Sequence, residues 1–131
     1  MPDLREVVSS RVLPAPKFRY SPLVRSGGFV FCSGLVALDR ETGALSGDTA
    51  FEQAERILRN LRALFDEQRW SLAQIVLARI YVVDLPGRFP EVNRAWEAVF
   101  GADAPPARTS VGVVALPLGA LVEMEFQVAA A

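Results

Sequence analysis

The chain has no histidine and a single cysteine, Cys32. Without imidazole a histidine-based triad and the common Cys/His zinc sites are excluded, and one thiol cannot close an internal disulfide. Lysine is almost missing as well: Lys17 is the only one among 14 basic residues, and the formal net charge is −1. No basic tail or stripe reads as a nucleic-acid footprint, so nucleic acid is disfavoured as a partner. No long apolar run occurs, and Asp3, Arg5 and Glu6 charge the N-terminal region, so neither a signal peptide nor a membrane span is expected and the reading is cytoplasmic. A phosphate-cradling P-loop, a dinucleotide fingerprint, an HExxH helix and a GxSxG elbow are all lacking. Most familiar enzyme classes drop out, and no cofactor or metal is expected.

What is present suits one domain over residues 1–131. Apolar residues make up 51% of the chain and charged ones 22%, enough for a core and against disorder. The mean hydropathy of +0.24 is high for a soluble monomer of this size and predicts surface covered by oligomerisation.

Residues 7–13 and 20–25 read as short extended segments broken by Pro14 and Pro16, and Ser26-Gly27-Gly28 as a tight turn into the strand 29–32. A turn-rich loop spans 39–48. Thr49-Ala50-Phe51-Glu52 has the capping-box pattern, and apolar residues then recur at Phe51, Ala54, Ile57, Leu58, Leu61, Leu64 and Phe65, the clearest helix in the chain. Its other face, with Glu52, Glu55, Arg56, Arg59 and Arg62, reads as solvated. Residues 75–83 are β-branched and apolar with both faces largely covered, and a second helix is predicted over 90–100 with Gly101 at its end. Two strands, 108–116 and 121–128, close the chain. Read as antiparallel neighbours, they present Arg108, Ser110 and Glu123 together on the sheet face away from the helices. The sum is an α+β layer whose second sheet face needs a partner. By spacing alone an Arg/Glu/Ser set on strands is more often a structural ion pair than a catalytic site.

Several segments, in order, resemble the reactive-intermediate deaminase (RidA/YjgF) family, also called endoribonuclease L-PSP. They are Phe31-Cys32-Ser33-Gly34, Asp39-Arg40-Glu41-Thr42-Gly43, Val82-Val83-Asp84-Leu85, Val92-Asn93 with Trp96 to Phe100, Pro106-Ala107-Arg108-Thr109-Ser110-Val111, and Leu116-Pro117 through Glu123 and Glu125. The resemblance implies a chorismate-mutase-like α+β fold, a mixed sheet with two helices on one face, assembled as a homotrimer with sites between subunits. It also implies hydrolytic deamination of imines or enamines of small carboxylates, with Arg108 holding the carboxylate and Glu123 positioning the attacking water. Tyr20, Ser33, Gly34 and Asn93 would shape the pocket, and Ser110 stands where the family commonly has cysteine. Phe18-Arg19 replaces Gly-Pro before Tyr20, and Arg19 reads either as a second cation in the cleft, suited to a dicarboxylate, or as a surface residue. Cys32 reads as a small core residue. The alternatives are a trimeric carboxylate-binding module without catalysis and an endoribonuclease.

Overall fold

The computed structural model describes residues 4–102 and 104–130. Six strands are present among them: β1 (Glu6–Val7), β2 (Leu23–Ser26), β3 (Phe29–Leu35), β4 (Ile75–Val83), β5 (Ala107–Val113) and β6 (Val122–Ala129). Two helices, α1 (Ala50–Gln68) and α2 (Leu85–Phe100), complete the architecture. The strands form one sheet in the order β1-β2-β3-β6-β4-β5, antiparallel except for the parallel pair β4 and β5.

The hairpin between β2 and β3 turns on Gly27 and Gly28, both at positive φ, and pairs Ser26 with Phe29. Glycine adopts that backbone without steric cost, as the sequence indicated. At the start of α1 the Thr49 hydroxyl accepts the Glu52 N–H at 3.1 Å. Only half of the expected capping box forms, because the Glu52 carboxylate takes the Asp48 N–H instead of that of Thr49.

The helix α2 begins five residues before the predicted start at Pro90. Pro86 lies in the first turn, where its missing N–H would have had no helical partner, and Pro90 is accommodated inside the helix. Asp84 turns the chain into it from a left-handed backbone, φ 55°. The terminal strands are shorter than the sequence suggested: residues 8–13 are not strand, and β5 stops at Val113 before the short 3-10 turn Pro117–Gly119.

Alternation along β6 sends Val122, Met124, Phe126 and Val128 inward, beside Ala78, Ile80 and Val82 of β4 and Val30 and Cys32 of β3. These meet Ala54, Ile57, Leu58, Leu61, Leu64 and Phe65 of α1 and Val92, Ala95 and Trp96 of α2. Both helices therefore cover one sheet face. The irregularity between Ile75 and Leu77 puts Ile75 in the core and leaves Val76 43% exposed, against the simple alternation predicted for that strand. The opposite face carries Arg79, Tyr81, Glu123 and Glu125 with Phe31 and Val111, which are 45% and 40% exposed. That face is not covered in a single chain, contrary to the expectation drawn for residues 75–83. No described helix is long and apolar enough to cross a membrane.

Two polar side chains of α1 lie inside the buried layer. Gln53 donates from Nε2 to the Gly47 carbonyl at 3.0 Å and accepts the Leu121 N–H at 2.8 Å, and Asn60 donates to the Leu38 carbonyl at 2.8 Å. Replacing Gln53 by Leu keeps the bulk but orphans a carbonyl and an N–H. The expected loss is about 1–3 kcal/mol for each buried group left unpaired, measured by urea unfolding. Unfolding midpoints equal to those of the parent would show that these contacts hold nothing.

Candidate active site

The bulge in β3 between Cys32 and Leu35 interrupts pairing with β6 at Ser33-Gly34. There the side chain of Glu123 lies directly on the β3 backbone. A Cβ built on Gly34 would meet Glu123 Cδ at 2.7 Å and Oε2 at 2.9 Å, so only glycine admits the carboxylate at this spot. The Ser33 hydroxyl donates to the Ser21 carbonyl at 2.8 Å and its N–H to that of Pro22 at 2.9 Å, which fixes the bulge against the chain leading into β2.

These residues floor a cleft of about 650 Å³. One wall is the segment 14–20, contributing Pro14, Pro16, Lys17, Phe18 and Tyr20. A second is the loop with Arg40, Glu41, Thr42 and Gly43, and Pro117 and Leu118 close the third side. Leu118 holds a left-handed backbone, φ 62°, with its side chain 44% exposed at the rim. A branched residue in that region carries backbone strain of the kind that gathers at functional sites.

Partial burial pushes the Glu123 carboxyl above the usual glutamate range, and neighbouring Glu125 adds to the shift. A carboxyl that holds its proton more tightly approaches the condition of a general base working near neutrality. Cys32, beneath the bulge, has its thiol pushed up to about 12 by burial and then by Glu125, so it is an inert core group.

Arg108 is elsewhere. The sequence reading set β5 beside β6; instead β4 lies between them, and β5 runs parallel to β4 with Ala78 opposite Arg108 and Ile80 opposite Ser110. Residues paired across a sheet share a face, so Arg108 and Ser110 lie on the helix side, while Glu123, opposite Tyr81, lies on the other. The expected common face for Arg108, Ser110 and Glu123 is therefore wrong. The antiparallel neighbours of β6 are β3 and β4, and the β4-α2-β5 crossover carries β5 to the far edge of β4 as a parallel strand.

On its own side Arg108 is well held. Its Nε donates to Ser110 Oγ at 3.1 Å, a second guanidinium nitrogen donates to Asn93 Oδ1, and the guanidinium lies 5.2 Å from the Trp96 ring centroid and 5.5 Å from that of Phe89. Burial lowers its pKa from the ordinary arginine value, with Glu97 opposing, yet a guanidinium remains charged. Gly112 allows α2 to lie close over β5, since a Cβ there would meet Leu85 Cβ at 3.2 Å.

The residues expected to act together thus divide into two clusters. Tyr20, Ser33, Gly34 and Glu123 line the cleft; Arg108, Asn93 and Ser110 cluster across the sheet; Arg19 is exposed and lines neither. The aromatic bed of Arg108 was missed, although Phe89, Asn93 and Trp96 follow one helical stripe at i, i+4 and i+7. Lys17, Arg40 and Leu118 were missed because they are distant in sequence and carry no periodic signal.

The family model described as Endoribonuclease L-PSP matches residues 10–130. The chain belongs to the RidA/YjgF family. A RutC family protein of Pyrococcus abyssi is 34% identical, over 92% of this chain and 94% of that protein. Reactive Intermediate Deaminase A, chloroplastic, of Arabidopsis thaliana is 33% identical over 92% of this chain and 64% of that protein. Among solved structures, RidA from the Antarctic bacterium Psychrobacter superposes with a TM-score of 0.85 at 31% identity, covering 95% of this chain and 98% of the other. In this RidA/YjgF member the fold is that of its relatives, a mixed sheet with two helices on one face.

The raised Glu123 pKa has a defined sign. The folded carboxyl binds its proton more tightly than the unfolded one, so stability falls as pH rises from the ordinary glutamate range through the raised value. Glu123→Gln is expected to raise the melting temperature at about pH 8 and leave it unchanged at about pH 3, well below the ordinary glutamate range, where both states are protonated. Scanning calorimetry at the two pH values checks this, and equal effects at both would contradict the shift.

Proposed function

We propose that the chain hydrolyses imines or enamines of small 2-imino acids to the 2-oxo acid and ammonia. The observation that carries the reading is the pairing of unlike half-sites. One is a partly buried carboxylate laid on a glycine in a cleft, and the other a guanidinium clamped between a hydroxyl, an amide and two aromatic faces. Two parallel donors on a planar cation suit the substrate carboxylate.

Glu123 then acts on water. As the water oxygen bonds to the C=N carbon, the carboxylate takes a proton and the imine nitrogen gains one from solvent, giving a carbinolamine. Glu123 returns its proton to the nitrogen, the C–N bond breaks as the hydroxyl loses its proton to solvent and becomes the C=O, and ammonia leaves. One water is consumed for each ammonia released.

Because the half-sites lie on opposite faces of one sheet, the complete site needs a second copy of the chain. A homotrimer brings the Arg108 cluster of one copy to the Glu123 cleft of the next. The uncovered sheet face with Phe31, Tyr81 and Val111 supplies surface for that contact. Endoribonuclease chemistry is the weaker reading, since the chain has no histidine for acid–base work and a net charge of −1.

Complementation tests this arrangement. Arg108→Ala and Glu123→Gln homo-oligomers are each expected to lose at least about a hundredfold in ammonia release from an enzymatically generated 2-imino acid. Refolding the two variants together in equal amounts should restore about one quarter of the parent activity, the fraction of sites drawing each intact half from a different copy. No recovery would place both residues outside a shared intersubunit site.

A further inference from the structure

In the single chain the cleft exceeds what a three- or four-carbon imino acid and the neighbouring copy's arginine fill. At about 650 Å³ it falls within the range of about 300–1,000 Å³ typical of drug-sized ligands. What lies beyond the Glu123 floor decides what the extra volume admits. Two cations line the cleft from separate walls, Lys17 from the segment 14–20 and Arg40 from the loop, and neither forms an ion pair among the described residues. Glu41 lines the same loop, so these two walls together carry a net single positive charge, facing a floor that holds Glu123.

Both cations stand on restrained backbone. Arg40 follows Asp39, whose carboxylate accepts the N–H groups of Glu41 and Thr42 at 2.9 Å each, while the Asp39 carbonyl accepts the Gly43 N–H at 2.8 Å. These bonds hold the Asp39 carboxyl below the usual range and commit it to the turn. The loop is thereby closed on itself before any ligand arrives. Thr42 Oγ1 accepts the Ala44 N–H at 3.2 Å and its hydroxyl is turned to the Asp39 carboxylate, so the side chain is spent on holding the loop. Lys17 follows Pro16, with Pro14 two residues earlier, and the rings limit the backbone there. A restrained backbone limits the freedom lost on binding an anion to that of the side chains themselves.

We propose that Lys17 and Arg40 form a second anion subsite, and that the preferred substrates are imines of 2-oxo dicarboxylic acids. This rests on the function proposed above: the carboxylate beside the imine binds the neighbouring copy's arginine, the imine carbon lies at Glu123, and the distal carboxylate reaches Lys17 and Arg40. The charge that the sequence suggested at Arg19 is thus supplied by other residues, from the two walls of the same cleft.

The test compares imines generated in place by amino-acid oxidases from glutamate and from 2-aminobutyrate, with ammonia release as readout. The parent protein is expected to favour the dicarboxylate by at least about tenfold in kcat/KM, and the double variant K17M/R40M to lose most of that ratio, chiefly through KM. Calorimetry with 2-oxoglutarate and 2-oxobutyrate gives a second readout that needs no turnover, with the same preference and the same loss. Equal handling of both acids by the parent, or a preference that survives the double substitution, overturns the subsite. Release of ammonia from the 2-aminobutyrate product without preference overturns the subsite alone. Binding of the dicarboxylate without turnover of either imine supports the subsite and overturns the hydrolytic function.

Discussion

The placement of β6 between β3 and β4 is the constraint from which the arrangement of this molecule follows. Strand β4 is occupied on one edge by β6 and on the other by the parallel β5, so β5 and β6 never touch. A pleated sheet sends alternate side chains to opposite faces, and pairing carries that parity from strand to strand. Arg108, opposite Ala78, is consequently committed to the helix side, and Glu123, opposite Tyr81, to the other. One added residue in either strand would reverse its face, which makes register the determinant of how the chemistry is divided.

That division explains why each half-site has the neighbours it has. On the helix side a cation needs polar partners and apolar cover, and α2 supplies both from one stripe, with Asn93 between Phe89 and Trp96. On the open side the β3 bulge removes a side chain at Gly34 and lets Glu123 lie on the backbone, where partial burial favours its protonated form. The cleft walls above it are loops, yet they are tied into the core by Gln53 and Asn60 of α1. Buried amides cost free energy unless paired, and here their partners are the backbone groups that shape the site.

The face carrying Phe31, Tyr81 and Val111 connects the fold to its function. Tyr81 donates to Glu125, which also pairs with Arg79 at 3.6 Å, so the polar groups there are partly satisfied among themselves. The pairing of Arg79 with Glu125 lowers the desolvation cost of covering Phe31 and Val111, whereas Glu123 has no ion pair among the described residues. The positive mean hydropathy of the chain accords with apolar residues left exposed in a single copy.

Local rules made much of this legible in the residues alone. The Gly27-Gly28 hairpin, the helix beginning after Thr49, the strand over 75–83 and the alternation in β6 depend on neighbours within a few positions, and the family pattern marked Arg108 and Glu123 without knowledge of their surroundings. The start of α2 escaped because Pro90 looked like a first-turn residue, whereas Pro86 already filled that role. Tertiary structure alone decided that β5 pairs with β4, that the two marked residues lie on opposite faces, and that Lys17 and Arg40, rather than Arg19, line the Glu123 cleft. Strand order and loop convergence arise from contacts between residues far apart in the chain, and periodicity, which records only which way a side chain points relative to its neighbours, carries no trace of them.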